Sequence, residues 1–532
     1  MCEPSVVANA SRTASISIAL GAALTFSCFA QITTSQYDNS RTGANLQESK
    51  LTPRNVNSTQ FGRLFSLRVD GDVYAQPLYL PGLQIPGKGK HDVVYVATEH
   101  DSVYAFDAEG RPATPLWHVN FTKPEKGMIT VAPQDVKCPF INPEVGITST
   151  PVIDTATGTL YVLARTKEGS KASGFQYVQQ LHALDVTSGV ERSGSPVTIQ
   201  ASVKGPNGDV NFDPLLENPR SALLLADGIV YLTWGSSCDV GSYHGWVIAY
   251  DAHSLEQKAV FNTSPASKES GIWASDTGPA ADENGNVFVA TGNGKFDVAQ
   301  GPDYGDTLLK LTLDNHKLLV RDYFTPRDQG ELNAADNDLG SGGPLLLPDQ
   351  PGPHPRLVLI GGKGSTLYVI DRDHMGKYEP ASDAAVQTIK LGGGLLGAPA
   401  YWNHQVYVFA DNDVLKEFTL RDGRLEMTSK LPGGPLEPGA TPTISANGNK
   451  DGIVWTISGR TWEIIPEKVA VLHAFDASDV ARELYNSDQN SDRDRAGISV
   501  RFSIPTVVNG RVYIGTRSEL DVYGLLTETR AR

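Results

Sequence analysis

The sequence predicts an all-β fold, an eight-bladed β-propeller of four-stranded blades. Three observations carry the prediction. A two-strand unit recurs along the chain, most copies follow a short apolar strand led by Pro or Gly, and one strand near the N-terminus has no unit of its own.

The units begin with "VVYVATEHDSVYAFDAEG" (93–110) and recur at 159–189, 229–254, 286–314, 357–373, 405–420, 453–479 and 511–526. Each is a β-rich run, a polar or Gly turn and a second β-rich run often closing in Ala-x-Asp, at a pitch of roughly 60 residues. The lead strands are "AQPLYL", "STPVID", "GAPAYW", "ATPTIS" and "SIPTVV". A fourth strand follows the Asp turn, as in "PLWHVNF" (115–121). The last unit ends at Leu526 without that strand, and "GRLFSLRVD" (62–70) is expected to supply it and close the ring. An up-and-down barrel needs single-strand repeats and a parallel solenoid shorter ones, so neither fits.

Composition narrows the class of function. With 52 Gly and 33 Pro and only 20% charged residues, the chain of 532 is turn-rich and globular. A net charge of −15 with no basic stripe excludes a nucleic-acid partner and gives no attraction to anionic membranes. Arg12 precedes the apolar run "ASISIALGAALTFSCFA", which reads as a signal peptide over 1–30, too short for a stable membrane anchor. Residues 31–60 then form an N-terminal extension, 61–526 the propeller and 527–532 a tail, and the protein is expected to be secreted or periplasmic. Removal of the leader takes Cys2 and Cys28, leaving Cys138 and Cys238 as a natural disulfide pair in an oxidising compartment, or as two free thiols. No Cys-x-x-Cys-His occurs, so no c-type haem is attached to the chain.

Ring closure brings loops from different blades to one channel mouth, where residues distant in sequence can meet. "AADNDLGSGG" (334–343) sets Asp336 and Asp338 two apart ahead of three glycines. In an extended segment i and i+2 share a face, so both carboxylates are expected to point into the channel. Two like charges there need a cation between them, or one must protonate. The glycines would let the backbone approach a flat ligand. The plainer reading is a solvated turn.

The repeats, their Ala-x-Asp turns and the motifs below resemble the quinoprotein alcohol dehydrogenase family, eight-bladed propellers that bind pyrroloquinoline quinone (PQQ); the resemblance spans about 60–525. "FVATGNGKFD" is similar to the family's Gly-Thr-Gly-Asn, which makes Asn293 a metal ligand, and an amide oxygen suits a hard cation. Trp273 in "SGIWASDTG" stands at the spacing of the family's cofactor-stacking indole. By resemblance to the family's Asp-x-Asp, Asp336 is the general base and Asp338 the extra metal ligand of lanthanide-using members. "GGKGSTLYVIDRD" places Lys363 on the quinone oxygens, where negative charge develops. Glu168 in "LYVLARTKEG" matches the metal-binding Glu, and Thr148 in "GITSTP" a cofactor-contacting hydroxyl. The plainer readings are a turn Asn, an interblade Trp and a loop Lys.

The resemblance implies an exported dehydrogenase with PQQ and calcium or a lanthanide, an alcohol, sugar or polyol as substrate, and a separate electron acceptor. Two departures stand against it: no adjacent Cys-Cys occurs, and the Trp-bearing blade signature is eroded, as in "AYDAHSLEQKAVF". These leave a non-enzymatic binding or assembly propeller, or a quinone-free enzyme using the cavity, as alternatives.

Overall fold

The computed structural model describes residues 30–526 except 171, 276, 300–301, 436–438 and 460–466. The expected leader, up to residue 29, and the tail at 527–532 lie outside the described residues. The rest is the eight-bladed ring. Blade 1 runs Leu78–Ile85, Gly89–Ala97, Ser102–Asp107 and Trp117–Asn120, each strand antiparallel to the next. Blades 2 to 7 repeat this order outward from the inner strands Val152–Asp154, Leu224–Ala226, Ala280–Ala281, Leu345–Leu346, Ala400–Trp402 and Thr443–Asn447.

Blade 8 joins the two ends of the chain, as expected. Thr506–Val508 pairs with the start of Arg511–Leu525. That run passes Ser518 at φ 57° and pairs through its far half with Phe61–Asp72, from Phe61 opposite Leu525 to Asp72 opposite Arg517. Loss of this contact would open the ring, because among the described residues no other strand covers that edge of blade 8.

The repeated residues turn out to be structural. The Asp of Ala-x-Asp closes a turn with its own carboxylate: Asp107 Oδ1 accepts from Glu109 N at 2.9 Å, Asp185 from Thr187 N at 2.9 Å and Asp476 from Ser478 N at 2.9 Å. In four blades a Tyr of the second strand reaches across to the next blade just beyond that turn. Tyr95 donates to Val186 O, Tyr161 to Ala252 O, Tyr407 to Ala477 O, and Tyr513 of blade 8 to Ala108 O of blade 1 at 3.0 Å. The core lies between blades, so second strands such as Gly89–Ala97 bury the whole run Val93–Ala97 instead of alternating. Leu357, Leu359 and Leu367 of blade 5, for example, pack on Val406, Val408 and Phe418 of blade 6.

The segment expected as an extension is threaded through the central channel. Ile32 exchanges two backbone hydrogen bonds with Tyr79 of blade 1, and Thr33 O accepts from Ile153 N of blade 2. Asn39 Nδ2 donates to Leu225 O of blade 3, and Asn39 O, Ser40 O, Thr42 O and Gly43 O accept from Ala281, Leu346, Tyr401 and Ile444 of blades 4 to 7. Tyr37 OH accepts from Val507 N of blade 8 at 2.9 Å. Residues 32–45 thus meet all eight inner strands. Arg41, wholly buried, fastens the belt by donating to Ser35 O at 2.7 Å and Pro279 O at 2.8 Å. Gly43 takes φ 72°, and a Cβ there would stand 3.0 Å from that of Ala400.

Candidate functional site

At the end of the channel where the inner strands begin, loops from several blades enclose a cavity with about 840 Å³ of atom-free space, open solvent at its mouth included. Trp273, Asp338, Lys363, Asp239, Arg220 and Arg501 line it. A smaller cavity adjoins it toward the belt and shares Tyr74, Ile141, Arg220 and Phe502 with it. Gln36 of the belt caps this inner space, donating N–H to Gln76 Oε1 at 2.8 Å and accepting from Thr277, two residues of its lining.

The Asp336–Asp338 stretch is not extended as the sequence suggests. A short helix Gln329–Ala334 ends just before it, Asp336 lies at φ 55°, and a 3-10 turn follows at Leu339–Ser341. Both carboxylates nevertheless reach one ammonium: Lys363 Nζ stands 2.5 Å from Asp338 Oδ2 and 3.1 Å from Asp336 Oδ2. Asn293 joins them from blade 4, its backbone N–H donating to Asp338 Oδ1 at 2.7 Å and its Nδ2 to Asp336 Oδ1 at 2.5 Å. The side chain of Asp336 is 64% exposed and that of Asp338 only 2%, so one acid meets solvent and the other is held inside.

The electrostatics follow from that contrast. Burial pushes the Asp338 carboxyl up, against the pull of Lys363 and the Asn293 N–H. Burial alone would lower Lys363, but the carboxylates of Asp338 and Asp336 outweigh it and hold the ammonium above its ordinary value. Asp306, beneath Asp338, is driven by burial to about 8 and accepts from Leu339 N at 3.1 Å.

Two buried polar atoms here have no partner, Asn293 Oδ1 and Trp273 Nε1. An unmet amide oxygen beside carboxylates is what a hard cation seeks. The space between them depends on Gly292, where a Cβ would fall 2.1 Å from Asp338 Oδ1 and 2.6 Å from Trp273 Nε1. By contrast, Gly340, Gly342 and Gly343 serve close packing: Cβ atoms there would strike Ala290 O, Gly361 O and Thr277. Among the described residues no three His, Cys, Asp or Glu side chains converge tightly enough to cage an ion by themselves. A cation would therefore draw on the Asn293 amide and on oxygens of a second ligand as well as the carboxylates. On that donor set the residues suit a hard cation.

Asp239 escaped the sequence reading. It follows Cys238, accepts from the buried Tyr243 hydroxyl at 2.5 Å, and is raised by burial and by the charges of Asp338 and Asp336. Tyr243 in turn meets Trp273 edge to face at 6.1 Å. The signal was an acid beside a cysteine that lies near the site. Glu168 does not join the site: it sits in the outer part of Thr159–Ser170, opposite Met128 and Gln176, and lines neither cavity. Thr148 is buried, donates to Glu99 Oε2 at 3.2 Å and lines the smaller cavity. Cys138 and Cys238 are bonded to each other and line the main one.

The ring is an eight-bladed β-propeller, and its fold is similar to that of solved quinoprotein dehydrogenases. The structure is similar to that of the quinohemoprotein alcohol dehydrogenase ADHIIG from Pseudomonas putida HK5, at 13% identity and TM-score 0.61 over 94% of this chain and 82% of that one. A europium-containing methanol dehydrogenase is similar at 12% identity and TM-score 0.57 over 93% of this chain and 98% of that one. BamB from Moraxella catarrhalis aligns at 11% identity and TM-score 0.48 over 89% of this chain and 99% of that one. No protein-family profile and no curated protein matches the sequence. No helix of the described residues is long and apolar enough to cross a membrane.

Proposed function

We propose that this chain is an exported dehydrogenase that binds PQQ with calcium or a lanthanide and oxidises an alcohol, sugar or polyol. The observation that supports it is that Trp273, Asp338 and Lys363 line one cavity, with Asn293 and Asp336 bonded to that cluster from behind the lining. PQQ when bound would supply a two-electron acceptor, and the cation would polarise it.

The chain's own residues would do the rest. Trp273 offers an aromatic face, while Asn293 and Asp338 would hold the cation, with Asp239 a further carboxylate on the cavity lining. Lys363 keeps a positive charge where negative charge would build up. Arg220 and Arg501 suit a ligand bearing carboxylates. Asp336, reachable from solvent, takes the substrate's hydroxyl proton on a carboxylate oxygen. With no haem attachment sequence, electrons leave to a separate acceptor. The disulfide suits an oxidising compartment, outside the cell or in the periplasm.

The test is uptake followed by turnover. Protein incubated with PQQ and calcium or a lanthanide should acquire the absorption of bound quinone and reduce an artificial dye when given an alcohol. Asp336→Asn should cut dye reduction by about 10²–10⁴-fold while leaving uptake intact. Absence of uptake with either ion would discard the reading in favour of a binding propeller, and turnover without dye response would favour quinone-free chemistry.

A further inference from the structure

One segment of the cavity wall is built differently from the rest. Residues 131–145, between blades 1 and 2, form a closed loop whose base is a bridge, with Val145 N donating to Val131 O at 2.8 Å. A small apolar cluster of its own, Val131, Val136, Cys138 and Val145 with Ile141, fills the inside and leans on Tyr177 and Leu215. At the tip, Cys138, Phe140 and Ile141 line the cavity, while Phe140 keeps 43% of its surface in solvent. The tip therefore stands between cavity and water, as a cover does.

Three ties hold that tip. Arg501 Nη1 donates to Phe140 O at 2.9 Å with its guanidinium 4.6 Å from the Phe140 ring centroid, and Tyr74 OH donates to the same carbonyl at 3.3 Å. The third is covalent: Cys138–Cys238 crosses 100 positions from the tip to blade 3, next to Asp239. Near the base, Lys167 pairs with Asp135 at 2.5 Å. Base and tip are thus secured separately, and only the tip depends on the disulfide.

We propose that Cys138–Cys238 is a latch on this cover and controls entry to the cavity. A dithiol reductant passes two electrons and two protons to the pair, giving two protein thiols and its own cyclic disulfide. The loop then swings on its Val131–Val145 base and uncovers the cavity; reoxidation closes it. What the latch admits rests on the function proposed above, but the gating does not.

Ser275 lines the cavity at 5% relative exposure and reports access without any ligand. Ser275→Cys should react with a small maleimide at least tenfold faster in a Cys138→Ala and Cys238→Ala background than with the native pair intact. Ser173→Cys, on an exposed turn, should react equally in both. As a check that avoids substitution, hydrogen exchange of the native chain on dithiol treatment should rise more within 131–145 than in the blades, where any rise reports only lowered global stability. Equal maleimide rates, or exchange at 131–145 that is unaltered or rises no more than in the blades, would overturn the latch. Failure to take up PQQ would remove the dehydrogenase reading and leave these readouts intact.

Discussion

Lys363 Nζ lies 2.5 Å from Asp338 Oδ2, a carboxylate whose side chain is 2% exposed. The pair therefore holds a buried charge in balance, and the same ammonium reaches Asp336 Oδ2 at 3.1 Å.

Removing that ammonium exposes the imbalance. Lys363→Met should lower stability by about 1–3 kcal/mol, less than a fully buried pair because the lysine is a third exposed. Adding Asp338→Asn should recover much of the loss, since neither charge then remains. Urea midpoints of the two single variants and the double one measure the coupling, and strict additivity would contradict it.

Gly292→Ala tests the space beside Trp273. Its Cβ would sit 2.1 Å from Asp338 Oδ1, so the loop must shift or the acid must leave its place. A stability loss of about 1–3 kcal/mol is expected. Quinone and cation uptake should fall at least tenfold more than for Gly330→Ala, where a Cβ meets nothing within 4 Å.

Glu99 supplies a pH signature. It is wholly buried, with Oε2 accepting from Gly146 N at 2.7 Å and Oε1 unpartnered, and burial raises its pKa from 4.5 to about 8. The folded chain thus binds more protons than the unfolded one between those values, so stability falls as pH rises through that window. Glu99→Gln cannot titrate. Its urea midpoint should gain on the native chain steadily from pH 5 to pH 9, and parallel curves would refute the assignment.

The disulfide should also matter to global stability. It closes a loop of 100 residues, for which chain entropy gives about 4–5 kcal/mol. Cys138→Ser with Cys238→Ser should show a loss of that order by chemical denaturation, and a loss below about 1 kcal/mol would mean the unfolded chain is little constrained.

The ring was legible because a propeller writes itself as a period: turn-forming Asp107, Asp185 and Asp476 and blade-linking Tyr95 and Tyr513 recur at equivalent places. Strand Phe61–Asp72 was legible by subtraction, as the piece the last blade lacked. The belt at 32–45 was not, because it pairs through backbone groups and leaves no apolar rhythm. At the site, Trp273, Asn293, Asp338 and Lys363 came from motifs and do gather, with Asp336 bonded to two of them. Glu168 was placed on register alone, and that register set it opposite Met128 and Gln176, lining neither cavity. The glycines after Asp338 were read as room for a ligand, whereas neighbouring backbone and the Thr277 side chain fill it.

The N-terminal thread gives the ring a bottom. By taking a hydrogen bond from or to each of the eight inner strands, residues 32–45 turn a pipe into a cup. Whatever reaches Trp273 must go back past Phe140 and Phe502, so molecules arriving, molecules departing and any redox partner share a single rim and must take turns there.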